Sequence, residues 1–218
     1  LAVAGILGLG GLALAFLLSV EFGYVSLGYA GLMQAYNLFL KSQVILDVMS
    51  ISAGFVLRAV AGTVAIDNSA VGDHMVDLTI SPWLYICTAL GALFIALAKR
   101  RSEMVQAGDQ SSGQRAALEH YSVPYLDALI AMVAPATLVG YSLYTFSGSL
   151  FGSVILPDNN SMMLTIPFVA YGLFRYLYVT YTGALGESPE EILLTDRPLL
   201  INIVVWLLTS AAILLVND

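Results

Sequence analysis

The order of apolar and polar positions divides the chain into seven apolar stretches, covering residues 1–20, 22–40, 42–66, 82–98, 124–146, 162–182 and 199–216. They are called spans A to G here. A bilayer crossing takes about 20 apolar helical residues, and each stretch comes close to that length. Helix is the only state open to them, because an isolated strand in hydrocarbon leaves its backbone amides and carbonyls unpaired. The expected fold class is therefore all-α, a polytopic membrane bundle of seven transmembrane helices forming one domain over 1–218. A tight turn at Glu21 joins A to B, and the longest polar segment, 99–123, joins D to E. Inside that segment, 108–113 reads Gly-Asp-Gln-Ser-Ser-Gly, a flexible tip, and 114–120 could continue as helix.

Composition agrees with a membrane protein. Hydrophobic residues make up 59% of the chain, charged residues 11%, and the mean hydropathy is +0.85, against about 25% charged residues in an ordinary soluble domain. No linker or repeat marks a second domain. The net charge of −7 and pI near 4.6 argue against nucleic acid, which needs a basic face. The single cysteine, Cys87, lies in an apolar run, so neither an internal disulfide nor a cysteine metal site is available and packing is its expected role. Beginning Leu1-Ala2-Val3, without an initiator methionine or a basic leader, the chain is not a signal peptide and is expected to be N-terminally truncated.

Charge then orients the spans. Lys41 lies between B and C, Lys99, Arg100, Arg101 and Arg115 between D and E, and Arg197 between F and G. The other connections carry Glu21, Asp67, Asp73, Asp77 and Asp158 but neither lysine nor arginine. By the positive-inside rule the basic connections are expected to face the cytoplasm, with Leu1 entering from that side of a plasma (inner) membrane.

Two arginines fall inside spans. Arg58 shares a helix face with Ser50, Gly54 and Gly62, small residues that let another helix approach. A membrane arginine is either a functional group or a structural pair, and both readings stay open for Arg58. Arg175, with Tyr171 and Tyr178 one turn away, is expected to snorkel toward the basic side. Asp47 shares the face of Arg58 but lies eleven residues before it, about 16 Å along the axis, too far to pair. It is expected to point into the cytoplasmic mouth with Lys41, or to serve as a first-turn acid against the helix dipole. Lys99 and Glu103 are spaced for a helical ion pair. Lys41, Asp47, Asp127 and the 99–101 cluster all lie at the same ends of B, C, D and E. Such a gathering suits a phosphorylated substrate, lysine acting as a point charge and arginine as a fork.

The ordered set Tyr36-Asn-Leu-Phe-Leu-Lys41, Gly54-Phe-Val-Leu-Arg58-Ala-Val-Ala-Gly62, Ser81-Pro82-Trp83, Lys99-Arg100-Arg101-Ser-Glu103 and Phe174-Arg175-Tyr176 resembles the UbiA prenyltransferase superfamily. Within it, the set is similar to the decaprenyl-phosphate phosphoribosyltransferase branch, and the likeness runs over essentially the whole chain. It implies a nine-helix fold around a cavity open to the cytoplasm and to lipid. Spans A to G would be the third to ninth helices, with the first two absent. The family's first aspartate-rich motif, Asn-Asp-x-x-Asp, would precede Leu1, so the main magnesium site would lie outside this chain and the chain alone would be inactive. Where aromatic prenyltransferases carry a second aspartate-rich motif, this sequence has Lys99-Arg100-x-x-Glu103, as in the phosphoribosyl-transferring branch.

The implied activity is transfer of 5-phosphoribosyl from phosphoribosyl diphosphate to a polyprenyl phosphate, with Mg2+ as cofactor, for cell-envelope polysaccharide precursors. Lys99, Arg100 and Arg101 would hold donor phosphates, Lys41 and Arg58 further phosphate, and Tyr36 and Tyr121 would donate hydrogen bonds. Lys41, Asp47 and Glu103 are the candidate catalytic groups; Glu103, Asp47 and Asp127 are the candidate magnesium or ribose ligands. The alternative is a prenyltransferase moving an isoprenoid from its diphosphate to an aromatic or other acceptor. A transporter is more remote, since charge gathers at one face and no repeat is visible. A homo-oligomer is compatible with the sequence.

Overall fold

The computed structural model describes residues 2–67, 70–71, 74–75, 81–107, 120–146, 159–182 and 189–216. Expectations for Asp73, Asp77, Arg115, Asp158 and the tip at 108–113 lie outside the described residues. The seven spans are all helical: α1 (Ala2–Leu18), α2 (Val20–Leu38), α3 (Leu46–Asp67), α4 (Pro82–Ala107), α5 (Val123–Thr145), α6 (Ile166–Thr182) and α8 (Arg197–Val216). A short helix, α7 (Pro189–Thr195), precedes α8, and 3-10 turns occupy Leu40–Ser42 and Ser161–Thr165. One antiparallel two-residue ladder, Ala70–Val71 with His74–Met75, is the sole strand pairing among the described residues.

Among the described residues, five segments, Leu46–Ile66, Pro82–Gln106, Val123–Thr145, Ser161–Thr182 and Arg197–Val216, are long and apolar enough to cross a bilayer. With α1 and α2 beside them they make a polytopic helical membrane bundle. The apolar part of α1, Leu7–Leu18, is shorter. Helix α2 is diluted by Glu21, Gln34, Asn37 and three tyrosines.

Two boundaries differ from the sequence reading. The break between A and B is at Ser19, whose side chain accepts from the Phe22 amide at 3.0 Å as an N-cap; Glu21 sits in the first turn of α2. Span D does not end at Ala98. The helix runs on to Ala107, because residues 99–107 contain no glycine or proline and are mostly good helix formers. The basic cluster is therefore carried on rigid helix rather than on a loop.

Helix α4 is central, packing most extensively on α5 and α3, while α1 and α2 follow on the far side of α3. Gly54 lets α2 come close to α3: a Cβ there would lie 3.1 Å from Met33 Cε. The best-buried apolar residues include Val48, Leu97, Ala98, Phe94, Leu126, Ile130, Val179 and Leu199, with Tyr176 and Ile192 around them. Val48, Leu126 and Leu199 open their helices, and Leu97 and Val179 fall late in theirs. The core thus lies under the basic end of the bundle, a water-poor floor for the polar groups above it. By contrast, Leu199 is the buried residue of α8, and the rest of that helix is partly or fully exposed.

Candidate active site

Two clusters of charge lie at this basic end. The first begins where the chain enters α3. Ile45 has φ 70°, a left-handed conformation that a β-branched residue avoids. Its amide donates to the Tyr121 hydroxyl at 2.7 Å. That hydroxyl in turn donates to Asp47 Oδ1 at 2.8 Å. Asp47 Oδ2 accepts from Arg100 Nε at 2.8 Å, and Arg100 Nη1 reaches Glu103 Oε2 at 2.5 Å. Asp47 is 0% exposed and Arg100 2%. Burial, and after it the hydrogen bond given to Asp47, pushes the Tyr121 phenol above its ordinary range, so the phenol stays neutral and remains a donor at physiological pH. Residues from α3, α4 and the approach to α5 are locked into one unit.

The second cluster faces another way round α4. Arg101 Nε meets Asp127 Oδ1 at 2.5 Å, the Tyr181 hydroxyl donates to the same oxygen at 2.7 Å, and the guanidinium lies over the Tyr181 ring at 3.7 Å. The Arg101 and Asp127 side chains are 12% and 36% exposed, so this cluster is open to a ligand where the first is closed.

A further ion pair fixes α6 to the start of α8. Arg175 grips Asp196 with both arms, Nε to Oδ1 at 3.0 Å and Nη2 to Oδ2 at 2.7 Å. Asp196 Oδ1 also accepts from the Leu199 amide at 2.8 Å, which caps α8. Snorkelling is thus replaced by a bidentate pair. The bond from Arg175, and after it that from Leu199, holds the Asp196 carboxyl below the usual carboxylate range. A lowered pKa stabilises the fold above the unfolded-state value of about 4 and loses that stabilisation as pH falls through the lower folded value. Thermal midpoints measured from pH 6 to 3 are expected to fall more steeply below pH 4 in the parent than in Asp196→Asn. Asp196→Ala is expected to cost about 1 kcal/mol through the lost cap.

Of the candidates from sequence, Asp47, Arg100, Glu103 and Tyr121 come together, and Arg101 joins Asp127. Lys41 is exposed in the Leu40–Ser42 turn and Tyr36 is half-buried near the end of α2. Among the described residues neither bonds to the clusters. Lys99 is half-buried and has no ion-pair partner among the described residues. Glu103 pairs with Arg100, not Lys99, since the guanidinium already held by Asp47 presents its free edge one turn on. Asp47 does not open to the mouth: Arg100 and Tyr121 take both its oxygens. Tyr181 and Asp196 were missed. Asp196-Arg-Pro is a legible helix start, whereas nothing in the sequence marks Tyr181 beyond its place near the end of a span.

Arg58 stays with α2. Its Nη2 and Nε reach the Tyr29 hydroxyl at 2.6 and 3.2 Å, and the guanidinium lies 5.1 Å from the Tyr29 and Phe55 ring centres. Arg58→Leu is therefore expected to lower stability by about 1–2 kcal/mol through a lost charge-assisted bond. Donor affinity measured by titration should stay within twofold, and a tenfold loss would return Arg58 to the substrate site.

The carboxylates do not fit a magnesium centre built by this chain. Among the described residues no three acidic, histidine or cysteine side chains gather. Asp47 and Glu103 are neutralised by Arg100, while Asp127 belongs to Arg101. The grouping of Asp47, Glu103 and Asp127 as joint metal ligands is not what the fold produces, because α4 turns its two arginines, one residue apart, toward different neighbours.

Decaprenyl-phosphate phosphoribosyltransferase of Mycolicibacterium smegmatis is 32% identical to the chain over 214 residues, covering 96% of this chain and 64% of that protein. The protein of the same name from Mycobacterium tuberculosis is 30% identical over 215 residues, again 96% and 64%. The chain is related to these proteins. A Corynebacterium glutamicum protein of that name is 30% identical over 178 residues, 82% of this chain and 49% of its own. No protein-family profile matches the chain. The chain spans less than two thirds of the length of these relatives, and the relationship agrees with the branch resembled by the motifs from Tyr36 to Tyr176.

Proposed function

We propose that the protein carrying this chain moves a 5-phosphoribosyl group from phosphoribosyl diphosphate to a polyprenyl phosphate of the decaprenyl type. The reaction is placed at the cytoplasmic face of the plasma (inner) membrane, toward cell-envelope polysaccharide precursors. The observation that carries the reading is the similarity to proteins named decaprenyl-phosphate phosphoribosyltransferase over 96% of the chain. The charge partition supports the orientation.

The chemistry forms a bond between the anomeric carbon and an oxygen of the lipid phosphate and breaks the bond from that carbon to diphosphate. The acceptor needs no general base, because its phosphate is ionised near neutral pH. What the site must supply is stabilisation of the departing diphosphate and alignment of two anionic reactants. Lys99 and Arg101, with Lys41, grip phosphate. Arg100, committed to Asp47 and Glu103, acts by fixing the last turns of α4 on the start of α3. Asp127, in the more open cluster, accepts from a ribose hydroxyl. Among the described residues the carboxylates do not gather for a magnesium ion.

The test is incorporation of label into lipid by the purified protein in nanodiscs, from phosphoribosyl diphosphate in one arm and from prenyl diphosphate in the other. Label from the first arm alone is expected. Label from the second alone sinks the proposal in favour of prenyl transfer.

A further inference from the structure

We infer that the groove between α3 and α4 is the seat of a polyprenyl monophosphate, with its phosphate on Lys99 and its first isoprene units on Ile51, Phe55, Ala92 and Ile95; this rests on the proposed reaction and places its lipid substrate. The groove is a cavity of about 340 Å3 lined by those residues with Thr88, Ala96, Lys99 and Arg100, within the range of small-ligand sites, about 300–1,000 Å3. Its walls are apolar: the Thr88 hydroxyl is spent on the Leu84 carbonyl at 2.8 Å. Arg100 is spent on Asp47 and Glu103. Among the described residues, that leaves Lys99 as the lining cation without an ion-pair partner. A hydrocarbon channel with one available cation at the water-facing end matches an amphiphile with an anionic head.

Other grooves along α4 lack this polarity. One of about 230 Å3 between α4, α6 and α8 is lined by no charged residue. Its polar groups are internally satisfied, Asn202 donating to the Phe168 carbonyl and Trp206 to Tyr141, both at 2.9 Å. The groove between α2, α3 and α4 is likewise without charge, and the Ser52 hydroxyl on its wall bonds the Ala89 carbonyl at 2.7 Å. Either accepts a lipid tail; neither offers anything to a phosphate. Arg58, one turn beyond Phe55, is taken by Tyr29.

The experiment uses a diazirine-bearing polyprenyl phosphate with the full-length protein in nanodiscs and maps the labelled peptides. Label is expected on Ile51, Phe55 and Ala92, which line this groove and not the one against α6 and α8, falling at least tenfold in Ala92→Trp, which fills the groove, and in Lys99→Ala. Leu173→Trp, in the α4, α6 and α8 groove, should label like the parent. Label concentrated on Phe168 or Trp206, or equal labelling by the uncharged polyprenol probe, overturns the inference. The mapping needs no variant, so misfolding of one does not blunt it. It also needs no phosphoribosyl donor. A labelled groove without phosphoribosyl transfer therefore rejects the reaction and keeps the site, and transfer with label elsewhere rejects the site alone.

Discussion

Asp47→Ala is expected to be the most destabilising single substitution in the basic end, lowering the unfolding free energy by about 3–5 kcal/mol. The reason is the partner left behind. Arg100 is 2% exposed and takes Asp47 through its Nε at 2.8 Å; with the carboxylate gone, a guanidinium remains inside the bundle with half its neutralisation. Tyr121 loses the acceptor of its proton as well, and through Tyr121 the strained amide of Ile45 loses a fixed partner. Asp47→Asn keeps an acceptor for Tyr121 but removes the charge, and is expected to fall between the parent and the alanine variant. Reversible unfolding in mixed detergent, followed by tryptophan fluorescence, measures all three. An alanine variant within 1 kcal/mol of the parent would mean that water or lipid headgroups already neutralise Arg100 and that the closed cluster is not a structural joint.

That joint also separates what could be read from the chain and what could not. The spans were legible because hydrocarbon leaves helix as the only satisfied backbone, so an apolar run such as 199–216 has one reading. The gathering of Lys41, Asp47, Lys99 to Arg101 and Asp127 at one end was legible for a similar reason, since successive crossings alternate sides. Which side chain meets which was not. Asp47 and Arg100 are 53 residues apart, and their meeting depends on the rotation of α3 against α4 and on the helix continuing past Ala98. Had α4 ended there, Arg100 would have stood in a loop and been free for substrate. Ile45 carries no signal at all: a left-handed turn is normally announced by glycine or asparagine, and here surrounding contacts impose it on a β-branched residue. Arg175 was read from its own helix neighbours, whereas its partner Asp196 comes from the cap of the next span.

For catalysis the largest expected loss comes from Arg101. It is the more open of the two arginines and lies on the rigid end of α4, flat against Tyr181. Arg101→Ala is expected to reduce kcat for phosphoribosyl transfer by about 100-fold, the range for removing one preorganised donor that meets developing negative charge. The fold should hardly notice, since a partly exposed pair contributes about 0–1 kcal/mol. Lys99→Ala is expected to act on the other substrate, raising KM for polyprenyl phosphate at least tenfold with a smaller change in KM for the donor. Arg101→Lys keeps the charge but not the fork or the stacking on Tyr181, and should recover only part of the loss. Initial rates against each substrate in turn, on protein whose thermal midpoint matches the parent, separate these effects. Wild-type rates in both alanine variants would show that the phosphates are held elsewhere, and the basic end of α4 would then be an interfacial anchor.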